Sequence, residues 1–557
     1  MKKVVVWTKR GNTRVLADAV IENLQEKPCK IVVEGARGEY ESAQILISPD
    51  CNVQNYDLEL SHIKCKESGY WIYKDCWTVY NQKYMKIETP SSKDYEYPLG
   101  EYPDALLPFE KAKEYGENNV KAGKHQGIWL TLKIPDNQRA GEYFGSFVLT
   151  VDGACYEIPV EITVWDFNVP KEVHLQSDLG VEPNWIKLGE NDYMPDMVRK
   201  YTEKLMEFRF APSLLSFKVN SFHSGEEFAN QVRLFHQADK PYLSTIMLPV
   251  ESHPETGLDK NRFKKFAWAL MQASVEDGIN YMEKAAVFCD FIDEPQLNGT
   301  WEEANRTSRH FEEFKGKIAD EFLVAGEPTE FRKAVCDSMR KVKNYVTIHI
   351  DERITEVKNY CVGISQMNTK ERRAQYKDMD SVWWYTCGAR DVPSWVIDHK
   401  LLDMRLMAWM SYDYNIKGML YWETCMFCEW KFCMESHLNH EVIIDCYKQA
   451  RRLTSTNGEL NGDGYLFYPG KPYGIYGPVE SIRLHTLRDG MEDYEYLYLY
   501  GELCKKAGID VRENIQELCD TLYEDITVKA DSQTFDGVRR ALAKKIVALQ
   551  KEQNNKN

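Results

Sequence analysis

Two adjacent acids end the apolar run Phe288-Cys-Asp-Phe-Ile-Asp-Glu-Pro295. Apolar residues in such a run build a buried strand, and Pro295, which has no N–H for a ladder, stops it. Asp293 and Glu294 therefore stand at a strand end. Consecutive strand residues face opposite sides. Both carboxylates reach one pocket only if the chain leaves the ladder at Asp293. Two carboxylates held close separate in pKa, because ionising one disfavours ionising the other. One acid beside one anion is the division of labour of glycoside cleavage. The same residues also suit a helix start, since an acid before proline is a common N-cap signal.

Two aromatic groups share the setting. Trp383-Trp384-Tyr385 and Tyr421-Trp422-Glu423 both lie at predicted strand ends. An indole can cover the apolar face of a sugar while hydroxyls and carboxylates meet its polar rim. Alternation sends one Trp of a neighbouring pair into the core. Trp384, Tyr385, Tyr421, Trp422 and Glu423 are the candidate substrate contacts. A third group, Cys425, Cys428, Cys433, His437 and His440, has ligand types and one CxxC spacing that suit zinc. The remaining spacing fits no zinc pattern, and buried thiols are the expectation. Gly464 to Gly470-Lys471-Pro472 is one residue too long for a phosphate loop and lacks its Ser/Thr. There is no HExxH, no GxSxG and no dinucleotide fingerprint.

The elements that must position these residues fall into two rhythms. Residues 1–168 carry short β-branched runs (Lys30–Glu34, Ala43–Ser48, Ile128–Ile134, Ser146–Val151 and Ile158–Trp165) separated by turn residues, which predicts an antiparallel β-sandwich. From 169 the pattern becomes strand then helix. Strands are predicted at Val173–Leu179, Leu214–Lys218, Ser244–Pro249, Val287–Asp293, Tyr345–His349, Cys361–Gln366, Ser381–Tyr385 and Gly418–Trp422, with helices at Asp259–Asp277, Trp301–Ile318 and Phe331–Val342. Eight strands alternating with helices predict a (β/α)8 TIM-like barrel over 169–505, whose sites lie at the C-terminal strand ends. Helical patterns at Ser481–Tyr500, Val511–Tyr523 and Phe535–Leu549 place extra helices, 506–557, packed on the barrel.

Composition narrows the class. The 557 residues carry 70 Lys+Arg against 86 Asp+Glu, a net charge of −16. That balance argues against phosphate backbones and anionic lipid as partners. No apolar stretch is long enough for a membrane span, and the run Val4–Trp7 is too short for a signal-peptide core. Fifteen scattered cysteines suit a reducing compartment. The chain as it stands reads as cytoplasmic unless a secretory signal has been trimmed.

The chain resembles glycoside hydrolase family 123, whose activity is exo-acting β-N-acetylgalactosaminidase. The resemblance is carried by Glu39-Tyr-Glu-Ser42 with Gln44, Tyr102-Pro-Asp104 with Leu107-Pro108, Gln126-x-Ile-Trp129, Gly141-x-Tyr143-x-Gly145 and Val164-Trp-Asp-Phe167. It continues through Asp293-Glu294, Gly418-Met-Leu-Tyr-Trp422, Asn461-Gly-Asp-Gly464 with Leu466-Phe-Tyr-Pro-Gly470, Ser481-Ile-Arg-Leu484, Leu487-Arg-Asp-Gly490 and Asp493-Tyr-Glu-Tyr496. After Trp422 the chain departs from the family pattern, reading Glu423-Thr-Cys-Met-Phe-Cys-Glu-Trp430. The resemblance implies a β-sandwich and a barrel, with Asp463 and Tyr468 near the mouth of the site. It also implies substrate-assisted cleavage: the sugar's 2-acetamido oxygen attacks the anomeric carbon, Asp293 accepts the acetamido N–H and stabilises the oxazolinium, and Glu294 protonates the leaving oxygen and then activates water. The expected partner is a glycan with a terminal N-acetylhexosamine, with no cofactor and no metal. Two other readings remain open: a retaining glycosidase with Glu294 as acid/base and Glu423 as covalent nucleophile, and a catalytically silent carbohydrate-binding protein.

Overall fold

The computed structural model describes residues 3–92, 97–191, 195–213, 224–236, 243–249, 252–253, 257–288, 292–388, 393–433, 438–448, 450, 453–454 and 458–556. The N-terminal part is a sandwich of two sheets. One runs in the order Val4–Arg10, Tyr40–Pro49, Gln126–Lys133, Trp77–Ile87, Gly100–Pro108 and Glu480–Ser481. The other runs Ile31–Arg37, Ala154–Asn168, Gly141–Val151, Ile63–Cys65 and Trp71–Ile72, with Tyr56–Glu59 also paired to Gly141–Val151. The pairings are antiparallel except that of Ile31–Arg37 with Ala154–Asn168, which is parallel. Ile45, Ile128 and Leu130 of the first sheet meet Val33, Phe147 and Ile162 of the second in one apolar core. The first sheet is buried on both faces: its other side, with Trp129 and Leu106, joins the core shared with the barrel. Tyr40–Pro49 is accordingly buried almost throughout rather than on alternate residues.

The five sandwich strands predicted from β-branched runs are present. Trp77–Ile87 and Gly100–Pro108 escaped that reading because Asn81, Gln82, Pro103 and Asp104 interrupt their apolar pattern. Pro103 and Asp104 sit where the register against Trp77–Ile87 shifts: Lys83 faces Ala105 but Tyr84 faces Pro103. Asp104 is the extra, bulged residue, and bulges re-aim side chains. Its buried carboxylate accepts Arg483 Nε (3.1 and 3.0 Å) and Tyr468 Oη (2.8 Å), and pairs with Arg14 (3.2 Å). The sandwich and the last barrel helix are thus joined by buried charge pairs. A second group joins Arg405 to Asp493 (2.7 Å) and Glu41 (3.0 Å), and Arg539 to Asp493 (2.6 Å) and Glu39.

The second part contains seven parallel strands among the described residues: β1 Gln176–Leu179, β2 Ile246–Met247, β3 Ala285–Phe288, β4 Lys343–Thr347, β5 Asn359–Gly363, β6 Ser381–Tyr385 and β7 Gly418–Tyr421. Their order is β1-β7-β6-β5-β4-β3-β2. The ring nearly closes between β1 and β2, where Ser177 N donates to Thr245 Oγ1 (3.3 Å) and Leu179 bridges Pro212 in parallel. The strand predicted at Leu214–Lys218 lies outside the described residues. Strict strand–helix alternation is not observed. Residues 348–358 connect β4 to β5 without a helix, and β5 reaches β6 through a 3-10 turn, Ile364–Met367, and one short α-helix, Lys370–Ala374.

The predicted helices are found as Lys260–Asp277, Trp301–Val324, Glu330–Lys341, Ile482–Ala507, Val511–Leu522 and Ser532–Lys556. Asp259 caps the first, its Oδ1 accepting Arg262 N (3.0 Å). Ile482–Ala507 is buried nearly all round over its first half, lying between the sandwich and the barrel wall. Ser532–Lys556 packs on that helix and on the sandwich, where Arg540 pairs with Glu34 (2.8 Å). Among the described residues no helix is long and apolar enough to cross a membrane.

Candidate active site

The paired acids lie where β3 leaves its ladder. Phe288 is the last residue of β3 paired to β4. Buried Ile292 anchors the chain again, and Glu294 takes φ 42°, ψ 60°. This left-handed conformation is uncommon for a residue with a side chain and persists only when neighbours hold it. It breaks the alternation that would send consecutive carboxylates to opposite faces. Glu294 occupies the N-cap position of the short helix Pro295–Asn298, but its side chain makes no capping bond. Its carbonyl does that work, accepting Leu297 N (2.8 Å) and Asn298 N (3.1 Å). The carboxylate is left for Tyr385, whose hydroxyl donates to Oε1 at 2.5 Å.

Thr347, at the end of β4, serves both acids. Its hydroxyl donates to Asp293 Oδ1 (2.8 Å) and accepts the backbone N–H of Glu294 (3.0 Å). Asn298 Nδ2 donates to the Asp293 carbonyl (2.6 Å). The pKa of Asp293 is pushed above its ordinary value by loss of hydration inside the mouth and by the charge of Glu294, against the Thr347 hydrogen bond, which favours the anion. Burial and the Glu294 carboxylate push the Tyr385 phenol up strongly, so it stays a proton donor. Cys361 of β5 is also held neutral, by burial and by the charges of Asp178 and Asp293. A carboxylate that ionises in this mouth would favour positive charge developing on a bound sugar.

The aromatic candidates divide by alternation. Trp383 points into the barrel, its ring 4.5 Å from that of Tyr345, and a Cβ on Gly418 would lie 2.3 Å from its indole. Trp384 therefore points outward. It is fully buried against the helical layer, edge-on to Tyr414, and does not join the site. Tyr385 returns inward to Glu294. Tyr421 also points away from the interior. Its buried hydroxyl donates to Asp463 Oδ1 (3.1 Å) and accepts Gly464 N (2.9 Å), so the two residues hold the loop after β7. Trp422 stays partly exposed at the strand end, edge-on to Trp185 at 6.1 Å.

Glu423 is buried, and its Oε1 accepts the N–H groups of Thr424 (2.8 Å), Cys425 (2.8 Å) and Glu182 (3.4 Å) and the Cys425 thiol (2.9 Å). Burial nevertheless raises its pKa to about 7. It ties the turn after β7 to the chain after β1. Gly180 is needed at that junction, since a Cβ there would lie 2.1 Å from the Trp422 carbonyl oxygen. Tyr468, expected near the mouth, is instead fully buried in the Asp104 cluster between the sandwich and the barrel. The bulge at Asp104 draws it there.

Of the thiol and imidazole group, Cys425 bonds Glu423 and Cys428 is buried. His437 lies outside the described residues, as do the side chains of Cys433 and His440. Among the described residues no three His, Cys, Asp or Glu side chains form a metal cluster. Thr347, Asp178 and Trp185 were missed in the sequence. Asp178 is next to last in both the predicted strand and β1, so the rule that barrel sites gather at C-terminal strand ends was its available signal, whereas Thr347 ends β4 but falls in the middle of the predicted strand Tyr345–His349.

Comparison with known proteins bears on the family and the fold. The model for the glycoside hydrolase 123 catalytic domain matches residues 253–500, and that for the glycoside hydrolase 123 N-terminal domain matches 17–151. No curated protein matches the chain. Among solved structures, a family 123 glycoside hydrolase from Clostridium perfringens, studied for glycolipid glycan hydrolysis, aligns over 99% of both chains with a TM-score of 0.58 and 16% identity. The CooA pilin subunit of enterotoxigenic Escherichia coli aligns over 29% of this chain and 97% of its own, with 13% identity and a TM-score of 0.16. With its sandwich and its barrel matched by the two models of one family, the chain belongs to glycoside hydrolase family 123.

Proposed function

We propose that this glycoside hydrolase is a retaining exo-β-N-acetylgalactosaminidase that uses its substrate's own acetamido group as nucleophile. The observation that carries the reading is the turn at 293–294, which aims two consecutive carboxylates at one mouth, each held by a hydroxyl from another strand. The acetamido carbonyl oxygen forms a bond to the anomeric carbon as the bond to the aglycone oxygen breaks. Glu294 gives that oxygen its proton. Asp293 accepts the acetamido N–H and offsets the positive charge of the oxazolinium ring. Water then adds to the anomeric carbon, passes a proton to Glu294 and reopens the ring, so two inversions retain configuration. Glu423, the carboxylate a covalent mechanism would need, has one oxygen filled by donors of its own turn. The galacto preference follows the family resemblance, and the glycolipid glycans of the Clostridium perfringens relative make such headgroups a substrate class to test.

The test is a panel of nitrophenyl β-glycosides with and without the 2-acetamido group. The 2-acetamido galactoside should be cleaved and the plain galactoside left intact. Comparable turnover of both would reject substrate assistance.

A further inference from the structure

Thr347 is buried at the end of β4, and its hydroxyl carries two bonds of opposite sense. It gives its proton to Asp293 Oδ1 and takes the N–H of Glu294. The backbone at Glu294 is strained, with φ 42° on a residue that is not glycine. Were that N–H released, Glu294 could relax toward a commoner conformation, and its carboxylate would leave Tyr385. We propose that Thr347 is a positioning residue for hydrolysis: one hydroxyl orients Asp293 toward the acetamido group and pins the turn that presents Glu294 to the leaving oxygen. The inference rests on the substrate-assisted reading and adds to it a group that touches neither sugar nor reacting atom.

The arrangement couples geometry to ionisation. Asp293 faces Glu294 on its own turn, Thr347 on β4 and the Cys361 thiol on β5, with Asp178 behind that thiol and Tyr385 on Glu294. Loss of hydration and the Glu294 charge push Asp293 toward its protonated form, and the Thr347 hydroxyl opposes them. Removing the hydroxyl therefore raises the pH at which Asp293 becomes an anion, besides loosening the turn.

The experiment follows kcat and KM against pH on a nitrophenyl 2-acetamido galactoside, using the full chain with Thr347→Val, Thr347→Ser and Asp293→Asn. Loss of a hydrogen bond to a charged group predicts that Thr347→Val lowers kcat/KM by about 10- to 100-fold, with its acid limb moved to higher pH. Thr347→Ser should keep the limb in place and most of the activity. A wild-type profile in Thr347→Val overturns the inference, as does Thr347→Ser being equally impaired, which would assign the effect to the lost methyl. Should Thr347→Val fail to fold, Thr347→Ala carries the same expectation. An active Asp293→Asn overturns the substrate-assisted reading itself, whereas an inactive Asp293→Asn beside an unaffected Thr347→Val overturns this inference alone.

Discussion

Tyr385 Oη lies 2.5 Å from Glu294 Oε1, and this bond crosses the barrel mouth between β6 and the end of β3, with β4 and β5 between them. A residue at one strand end thus fixes the rotamer of an acid three strands away. Tyr385→Phe keeps the ring and removes the donor. Its kcat should fall about 10- to 100-fold, the range for a lost hydrogen bond to a charged group, while the melting temperature barely changes. Unchanged kcat would mean that substrate contacts alone orient Glu294.

Asp104 and Arg483 are both fully shielded from solvent and joined by two donors. Breaking a buried pair from one side strands the other charge. Asp104→Asn leaves Arg483 and Arg14 without their shared anion, and should destabilise the fold by about 3–5 kcal/mol in urea titration. Adding Arg483→Met should cost much less than the sum of the two single changes, because the pair acts as a unit. Additive losses would show that the bulge, and not the charge pair, joins the sandwich to the barrel.

Glu423 predicts a pH dependence of stability. Its folded-state pKa, about 7, lies above the ordinary value of 4.5, so the protonated carboxyl favours the fold. That contribution is whole below pH 4.5 and is lost as pH rises through 7. It amounts to on the order of 3 kcal/mol, because each tenfold gain in proton affinity is worth about 1.4 kcal/mol. Glu423→Gln should flatten the stability curve between pH 5 and pH 8. An unchanged slope would mean that the donors around Oε1 already hold Glu423 as an anion.

Much of this molecule is legible in its sequence, for reasons that vary by element. The acids at 293–294 announce themselves because an apolar strand ending in two charges has few structural excuses. Asp259 and Ser481 mark their helices because a helix needs a side-chain acceptor for its first N–H groups. Trp384 and Tyr468 misled, since exposure depends on which way a strand faces and on a bulge 364 residues away. The motifs around Asp104, Arg483 and Asp493 identify the family, yet they form the charged joint between domains and not the site. A hydroxyl such as that of Thr347 carries no local signal. Its importance comes from two bonds that exist only once β3 and β4 are side by side.

Substrate assistance stands or falls on the acetamido oxygen being the nucleophile. The direct measurement is inhibition by the thiazoline of N-acetylgalactosamine, whose fused ring mimics the oxazolinium, compared with inhibition by N-acetylgalactosamine itself. Substrate assistance predicts competitive inhibition with the thiazoline binding more tightly than the product sugar, because transition-state-like ligands are favoured over ground-state ones, and it predicts that Asp293→Asn weakens that advantage. Absence of thiazoline inhibition, with a 2-fluoro sugar labelling Glu423 covalently, would contradict it and assign the nucleophile to the enzyme.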